Sequence, residues 1–356
     1  MKAYVIEKFG EPLRAVELND PTPEGTEVVV RVQNVGLCHT DLHLIDGYYQ
    51  LGGESRLDVS KIGVHLPHSL GHEIYGVVEA FGPESGLSES DKGKAIVVYP
   101  WIGCGKCDAC QSDRDDMCGS KRQLGIHAPG GHAEKVVVRD AKFLIDAQSI
   151  DPAVAGLYAC SGLTSYSALK KLGNLRDQWV AILGLGGVGM MALAIAKAIG
   201  FEKVIVADVD QAKLKTAVDT YGAELAFDAR DDGTPQQLRS ATGGGVTGVL
   251  DTVGSDATGK LGTGALKGGG TYVSSGLFGG SLQLPLVTLA VTQLTLRGSL
   301  IGTRSELNEI LDLARQGKIK PIPAEVVPIA EVNTMIDRLR SGNVVGRIVL
   351  EHAPAS

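Results

Sequence analysis

The stretch WVAILGLGGVGMMALAIA, residues 179–196, decides the fold. It begins as an apolar run typical of a buried strand and ends as an apolar run typical of a buried helix. Between the two runs, Gly184, Gly186 and Gly189 form a G-x-G-x-x-G pattern. The first glycine permits a tight turn, the second lets a pyrophosphate approach the backbone, and the third lets helix and strand pack closely. The stretch therefore predicts a strand–turn–helix unit that binds a dinucleotide.

A membrane-spanning helix is the alternative for this stretch, since it carries no charge and just reaches spanning length. The glycines clustered near its middle favour the buried unit instead, and we expect no membrane partner. The opening MKAYVIEKFG reads as a strand rather than as a signal peptide. We therefore expect a cytoplasmic protein.

A carboxylate follows the glycine turn at the expected distance. Asp208 ends the next apolar run, KVIVAD, 19 residues after Gly189. A carboxylate there accepts hydrogen bonds from the adenosine ribose and repels a 2′-phosphate, so NAD is favoured over NADP. The alternative is an aspartate that only caps the following helix. Lys213, one helical turn further on, either reaches the ribose or belongs to a solvated face.

The wider pattern predicts two lobes. The chain has 356 residues, which is long for one domain. Up to about residue 150 it is rich in short β patterns, and from about residue 157 strands and helices alternate, as in a parallel sheet covered on both faces. The net charge of −7 argues against a nucleic-acid partner.

Four of the six cysteines lie within one short segment, CGKCDACQSDRDDMC. Thiolates so close together suit a tetrahedral zinc ion with no open position, and such a site is structural. The neighbouring Asp108, Asp113, Asp115 and Asp116 are expected to form a solvated surface. The predicted structural zinc ligands are Cys104, Cys107, Cys110 and Cys118.

The other two cysteines suggest a second kind of zinc site. Cys38 lies in GLCHTDLH, His72 in LGHEIYG and Cys160 in YACSGLTSY. Two thiolates and one imidazole are typical of catalytic zinc, which keeps a fourth position for water or substrate. Taken singly, each of these residues is more often a core residue than a ligand. Together they give every cysteine of the chain a zinc role.

With these motifs in this order, the chain resembles the zinc-dependent alcohol dehydrogenases of the medium-chain dehydrogenase/reductase superfamily, nearly from end to end. The polar sequence before LGHE and the segment YPWIG are similar to the bacterial and archaeal tetrameric branch. The resemblance implies an α/β fold: a Rossmann doubly wound parallel sheet plus a mostly-β GroES-like catalytic domain. The implied domains are 1–156 with 297–356 (catalytic, with a structural zinc lobe at about 100–120) and 157–296 (Rossmann, NAD-binding).

The resemblance also implies an activity, namely reversible hydride transfer between NAD and a primary or secondary alcohol, with an aldehyde or ketone as product. The alcohol would react as an alkoxide on zinc, which lowers the pKa of a bound hydroxyl. Thr40 and His43 would relay the proton. Asp41 would orient His72, and Glu73 would lie behind the metal. Two zinc ions per subunit and NAD are the expected cofactors.

Further cofactor contacts are implied by position. His39 matches a residue that touches the pyrophosphate, Thr164 one that packs against the nicotinamide, and Arg347 one that contacts a cofactor phosphate. Gly187 and Val188 complete the glycine turn. The expected partners are a small alcohol or carbonyl compound and further copies of the chain, in a homotetramer or a dimer. The apolar run at residues 282–300 is a candidate for edge strands that join subunits.

The substrate pocket is the least determined feature. The candidate lining residues, for which ordinary packing is an equal alternative, are Trp101, Tyr48, Tyr49, Leu124 and Leu277. His65 and His68 are interpreted as non-ligands, and His132 stands where an aromatic residue is commoner. A non-enzymatic binding protein of this fold would lack a ligand of the three-residue set. A polyol dehydrogenase would replace the third ligand with a carboxylate; formaldehyde and NADP-linked cinnamyl-type enzymes are the other rivals.

Overall fold

The structure is a computed structural model that describes residues 1–353; residues 354–356, the end of the second predicted catalytic segment, lie outside the described residues. Short strands dominate the amino-terminal part, as predicted. Residues 1–156 contain the strands β1 (Lys2–Ile6), β2 (Arg14–Glu17), β3 (Val28–Gly36), β4 (Tyr48–Gly52), β5 (Ser55–Asp58), β6 (His68–Ser69), β7 (Glu73–Phe81), β8 (Ala95–Val98), β9 (Lys135–Val138) and β10 (Leu144–Asp146). They also contain the helices α1 (His39–Asp46), α2 (Asp108–Gln111) and α3 (Pro152–Ala155).

The middle of the chain alternates between helix and strand. The helices are α4 (Ser161–Leu172), α5 (Gly187–Ala198), α6 (Gln211–Asp219), α7 (Thr234–Ala241), α8 (Asp256–Ala265) and α9 (Leu286–Thr292). The strands are β11 (Val180–Leu183), β12 (Val204–Asp208), β13 (Leu225–Asp228), β14 (Val246–Asp251), β15 (Leu266–Ser274) and β16 (Thr295–Gly298). They form one sheet in the order β13-β12-β11-β14-β15-β16, with every neighbouring pair parallel.

This strand order is that of a doubly wound dinucleotide-binding sheet. The order reverses between β11 and β14, and ligands bind in the crevice at the carboxyl ends of the strands at such a point. β11, β12 and β14 are almost entirely buried, as expected for central strands covered on both faces. The predicted doubly wound parallel sheet is confirmed.

The last part of the chain returns to the first lobe. It contains α10 (Arg304–Arg315), β17 (Ala324–Pro328), α11 (Val332–Arg340) and β18 (Arg347–Glu351). β18 pairs antiparallel with β3, and β17 pairs with β18, so both strands extend the sheet β10-β8-β7-β3-β18-β17, in which β9 also pairs with β3. The exact domain limits stay a prediction, but this strand pairing places the second predicted catalytic segment against the first lobe.

Two segments complete the description. Residues 52–64, part of the polar sequence before LGHE, contribute to the hairpin β4–β5 and then to a short 3-10 turn at Val59–Ile62. The apolar run 282–300 is only partly strand, because its middle forms α9 and β16 alone joins the sheet edge. Its i, i+1, i+5 pattern of exposed apolar residues is compatible with a helix, and Pro285 stands just before the first turn, where proline is tolerated. Within residues 1–353, no helix combines the length and the apolar character needed to cross a bilayer.

Candidate active site

Strand register brings the first two predicted zinc ligands together. β3 and β7 are antiparallel neighbours, and Gly36 at the end of β3 lies opposite Glu73 at the start of β7. Cys38 follows β3 by two residues, and His72 immediately precedes β7. Residues that are 34 positions apart in the sequence therefore meet at one end of the sheet.

Cys160 reaches the same point from a different element. It stands directly before α4, after a 3-10 turn at Gly156–Ala159. That turn packs so closely on β7 that a Cβ on Gly156 would lie 2.5 Å from the carbonyl oxygen of Glu73. The sulfur atoms of Cys38 and Cys160 are 4.0 Å apart. Glycine is therefore required here so that the third ligand can approach the other two.

The resulting cluster fits a metal ion. Ligand atoms of Cys38, His72, Glu73 and Cys160 all lie within 4.8 Å of one another. Both ring nitrogens of His72 are buried without a hydrogen-bond partner in the described part of the chain. An unpaired buried imidazole is costly, whereas two thiolates and one imidazole are the donors that catalytic zinc prefers. The structure thus brings together the three ligands that the sequence predicted.

Charged groups surround this cluster on its buried side. Asp41 accepts a hydrogen bond from the backbone N–H of Cys38 at 2.8 Å, and its other oxygen lies 3.6 Å from Nδ1 of His72. Glu73 is fully buried and pairs with Arg347 at 2.5 Å. Arg347 also donates to the hydroxyl of Ser161 and to the carbonyl of Leu37. Burial raises the pKa of the Glu73 carboxyl, although the guanidinium beside it acts in the opposite direction.

The four remaining cysteines form a separate cluster. Neighbouring sulfur pairs are 3.5, 3.7 and 4.0 Å apart, and all four sulfurs lie within 4.8 Å of one another. A zinc–sulfur tetrahedron with bonds of about 2.3 Å has edges of about 3.8 Å, so the spacing suits that ion. The four residues, in chain order, are Cys104, Cys107, Cys110 and Cys118.

Asp108 is exposed, as expected, but Asp113 and Asp115 are not simply solvated, which corrects the expectation for these two. Asp115 is buried, and both Asp113 and Asp115 lie close to Arg304, at 2.9 and 3.5 Å. Arg304 begins α10, nearly 190 residues away in the sequence. Arg139, which the sequence did not single out, also holds the segment by donating to the carbonyls of Gly103 and Cys104. The lobe is therefore anchored to two distant parts of the chain.

The glycine turn has the form that a dinucleotide phosphate needs. Gly184 has φ +85°, and a Cβ on Gly189 would collide with the carbonyl oxygen of Gly184. A Cβ on Gly186, by contrast, would meet nothing within 4 Å, so open space lies there. Gly186 stands before α5, whose first N–H groups receive no side-chain cap. Uncapped N–H groups beside open space fit a bound pyrophosphate.

Asp208 has a role in this turn that sequence reasoning missed. Its carboxylate accepts hydrogen bonds from the backbone N–H groups of Leu185 and Asp210. The cap of the following helix α6 is Asp210, which accepts from Ala212 and Lys213. The alternative that Asp208 caps this helix is therefore wrong. The side chain lies instead beside the glycine turn.

Comparisons with known proteins agree with this architecture. Residues 24–149 match the family model of the alcohol dehydrogenase GroES-like domain, and residues 187–316 match that of the zinc-binding dehydrogenases. The chain belongs to the zinc-binding alcohol dehydrogenase family. The predicted family, the fold class with its GroES-like part and the class of enzyme are confirmed.

Individual relatives cover almost the whole chain. The NAD-dependent alcohol dehydrogenase of Sulfolobus acidocaldarius is 37% identical over 99% of this chain and 99% of its own length. That of Sulfurisphaera tokodaii is 35% identical over 98% of this chain and 99% of its own. The crystal structure of the alcohol dehydrogenase of Aeropyrum pernix superposes with a TM-score of 0.89 at 32% identity, covering 99% of this chain and 100% of that one.

A cavity of about 720 Å³ lies between the two lobes of this alcohol dehydrogenase. Thr40 and Trp101 line it from the catalytic lobe, and Leu277 lines it from the Rossmann lobe. The ring of Trp101 is 5.6 Å from that of His72, so this wall of the cavity is next to the metal cluster. Tyr49 also lines the cavity, and its ring is 4.8 Å from that of His43.

Two of the expected pocket residues lie elsewhere. Leu124 is buried and lines a different, smaller cavity. Tyr48 does not line the inter-lobe cavity, and its ring packs under the guanidinium of Arg56. The expectation for Leu124 and Tyr48 is corrected accordingly.

The three further residues that were predicted to contact the cofactor differ in burial and in hydrogen bonding. His39 is exposed, with its ring 5.4 Å from that of Phe278. Thr164 is buried and donates a hydrogen bond to the carbonyl of Leu300. Arg347 packs against Gly187, where a Cβ would collide with its side chain, while its guanidinium is engaged by Glu73. Arg347 therefore links the glycine turn to the buried side of the metal cluster.

The three unassigned histidines are now placed. His65 is exposed, whereas His68 and His132 are buried. Neither nitrogen of His132 has a hydrogen-bond partner within residues 1–353, and its ring packs on Gly71, the neighbour of His72. Burial lowers the pKa of His132 to about 4. None of the three belongs to either metal cluster.

Proposed function

We propose that this chain catalyses the reversible, NAD-linked oxidation of primary or secondary alcohols to aldehydes or ketones. The observation that carries the proposal is the convergence of Cys38, His72 and Cys160 at a point whose neighbours Thr40 and Trp101 line the inter-lobe cavity. Close relatives are named NAD-dependent alcohol dehydrogenases. A metal-ligand set beside a cavity that both lobes line is the arrangement that such a reaction requires.

The cofactors supply the bond-changing chemistry, and the protein orients and encloses it. When bound, zinc supplies Lewis acidity and the nicotinamide accepts the hydride. Cys38, His72 and Cys160 would hold the catalytic zinc. Asp41 would fix the ring of His72 in one orientation. The four-cysteine cluster would hold a second, structural zinc ion.

Thr40 and His43 would carry the alcohol proton toward solvent. They stand three residues apart on α1, hence on the same face of that helix. Thr40 lines the cavity, and the ring of His43 contacts that of Tyr49, which also lines the cavity. Burial lowers the pKa of His43, so its ring is neutral near pH 7 and able to accept a proton.

The nucleotide would lie along the carboxyl ends of β11, β12 and β14. Its pyrophosphate would take the open space at Gly186, and Asp208 would accept hydrogen bonds from the adenosine ribose. The carboxylate would repel a 2′-phosphate, which favours NAD over NADP. His39, Lys213, Thr164 and Arg347 are the further proposed contacts with the cofactor.

The exposed surface and the cysteines support proposals on the assembly and location of the protein. Leu286, Val287 and Val291 of α9 are largely exposed, beside the free edge of β16. We propose that this surface joins subunits of a homotetramer or a dimer, which light scattering would test. Six free cysteines, of which two sets converge as metal ligands, suit a reducing compartment such as the cytoplasm.

A panel of alcohols and carbonyls, assayed with NAD and NADP before and after chelation, tests the proposal. We expect NAD reduction that is lost on chelation and restored by zinc. Zinc-replete protein that reduces NAD with none of the alcohols would overturn the proposed function.

A matched pair of variants tests the proton path. Thr40→Ala should lower kcat about 100-fold, whereas Thr40→Ser keeps the hydroxyl and should stay near the wild type. His43→Ala should lose rate mainly at lower pH, where no other base is available. Zinc content should be unchanged in all three. Unchanged pH–rate profiles in both alanine variants would exclude the relay.

A further inference from the structure

The inter-lobe cavity has an unusual charge balance. Among the residues that line it, the charged ones are Lys121 and Arg297, and no aspartate or glutamate is included. The chain as a whole carries 41 acidic against 34 basic residues. A cavity whose charged lining residues are all cationic, in an acidic protein, favours a negatively charged occupant.

Lys121 is the cation that is free to bind an anion. Within residues 1–353, its ammonium has neither a carboxylate within 4.0 Å nor another hydrogen-bond acceptor. Its side chain is half-buried at the cavity wall. Arg297, by contrast, already donates to the carbonyl of Lys171. Lysine residues near a protein surface are common, but a half-buried one facing a cavity without an acidic partner leaves a charge to be compensated.

A second polar side chain stands beside Lys121. Gln123 is buried and lines the same cavity, yet its side-chain amide makes no hydrogen bond in the part of the chain that the structure describes. The amide is not fully enclosed by protein, so it borders the cavity. An amide N–H₂ and an ammonium that line one cavity provide two kinds of donor for one carboxylate.

His127 holds this wall in place and does not compete for an anion. Its Nδ1 accepts a hydrogen bond from the backbone N–H of Gln123 at 3.3 Å. Burial, together with the charge of Lys121, lowers the pKa of His127. The neutral ring therefore fixes residues 123–127 as a rigid support for the two donors.

The phosphates of the cofactor do not explain these donors. The pyrophosphate position proposed above is at Gly186 and the start of α5, and no residue of that turn lines the cavity. The same cavity has apolar walls that include Leu57, Trp101 and Ile126. An occupant thus meets Thr40 and Trp101 near the metal ligands, apolar walls and a cationic side chain within one cavity.

We propose that the substrate is a hydroxy acid or oxo acid, in which an apolar spacer separates the reacting alcohol or carbonyl from a carboxylate held by Lys121 and Gln123. The inference rests on the proposed function and deepens it by naming the substrate class. Lys121 is then a residue that determines specificity at a distance from the reacting carbon.

A pair of substrates that share the reacting alcohol and differ in charge tests the inference. 4-(Hydroxymethyl)benzoate carries the carboxylate, and its methyl ester is the neutral match. The wild type should prefer the acid by about tenfold or more in kcat/KM, mainly through KM, because a hydrogen bond to a charged group is worth about one to two powers of ten. The preference should weaken as salt is added.

Variants separate recognition from folding. Lys121→Met should remove the preference for the acid and leave kcat/KM for the ester within about twofold, whereas Lys121→Arg should retain it and Lys121→Glu should reverse it. Gln123→Leu should weaken it less. Lys318→Met, which removes an exposed lysine outside the cavity, is the matched control and should behave as the wild type.

The possible failures are distinguishable. Equal rates for acid and ester in the wild type, or a preference that persists in Lys121→Met, would overturn the assignment of a carboxylate while the dehydrogenase activity stands. If neither compound nor any other alcohol is oxidised by zinc-replete protein with NAD, the proposed function fails and this inference fails with it.

Discussion

Replacing His132 with phenylalanine should make the folded protein less sensitive to acid. The imidazole of His132 is fully buried, and neither nitrogen has a partner among the described residues. Burial therefore lowers its pKa to about 4. In the unfolded chain the same ring has the ordinary pKa of about 6.5. The two states take up a proton at different pH values, which makes stability depend on pH.

The sign and size follow from this difference. As the pH falls below about 6.5, the unfolded chain binds a proton at His132 while the native protein does not, so acid favours unfolding. A tenfold difference in proton affinity is about 1.4 kcal/mol. The free energy of unfolding should thus lose about 3 kcal/mol from this residue by about pH 4, of which about 2 kcal/mol is lost between about pH 7 and pH 5. Above pH 7 the contribution is constant.

Urea unfolding of zinc-loaded wild type and His132→Phe at several pH values between about 5 and 7 measures this contribution. The two curves of stability against pH should diverge, with the wild type falling more steeply by about 2 kcal/mol. Phenylalanine is larger and packs against Gly71, so a constant offset between the curves is compatible with the reasoning. His65→Gln, which removes an exposed imidazole, is the control for the mutation itself. Parallel curves for wild type and His132→Phe would refute the argument.

Three further predictions concern the cofactor turn, the buried ion pair and the structural metal. Gly189→Ala should prevent folding of the Rossmann lobe because its Cβ would collide with the backbone. Gly186→Ala should fold, but calorimetry should show that it binds NAD about tenfold or more weakly than the wild type. Equal behaviour of the two variants would contradict the geometry. Arg347→Met should lower the free energy of unfolding by about 3–5 kcal/mol, since it leaves Glu73 buried and unpaired, and adding Glu73→Gln should restore part of the loss. Cys118→Ser should reduce bound zinc by about one ion per subunit and lower the melting temperature, and an unchanged zinc content would exclude the four-cysteine site.

Local signals allowed much of the fold to be predicted. The glycine turn lies within six residues, and the alternation of apolar strands and amphipathic helices repeats at short range, so both are visible without knowledge of distant contacts. The four cysteines of the structural cluster also lie within one segment. The run 282–300 forms an edge strand only in part, because an apolar stretch by itself does not distinguish helix from strand.

Contacts between residues that lie far apart in the sequence, and the local backbone geometry, determined the features that the sequence left open. The aspartates beside the cysteine segment looked solvated because their partner, Arg304, is remote in the sequence. The carboxylate that caps α6 proved to be Asp210 rather than Asp208, a distinction of two residues that only backbone geometry makes. Leu124 lines a different cavity and Tyr48 packs against Arg56, and neither contact is visible in the sequence around the residue.

The sequence by itself determined the kinds of donor present: six cysteine sulfurs, a histidine beside a strand, and a glycine turn followed by a carboxylate. Only the tertiary structure decided that Cys38, His72 and Cys160 meet, and that Lys121 faces the same cavity without an acidic partner. The physical reason is that chain spacing limits only nearby distances. Separations between distant residues are fixed by strand pairing and close packing, which in this chain depend on contacts such as that of Gly156 with β7.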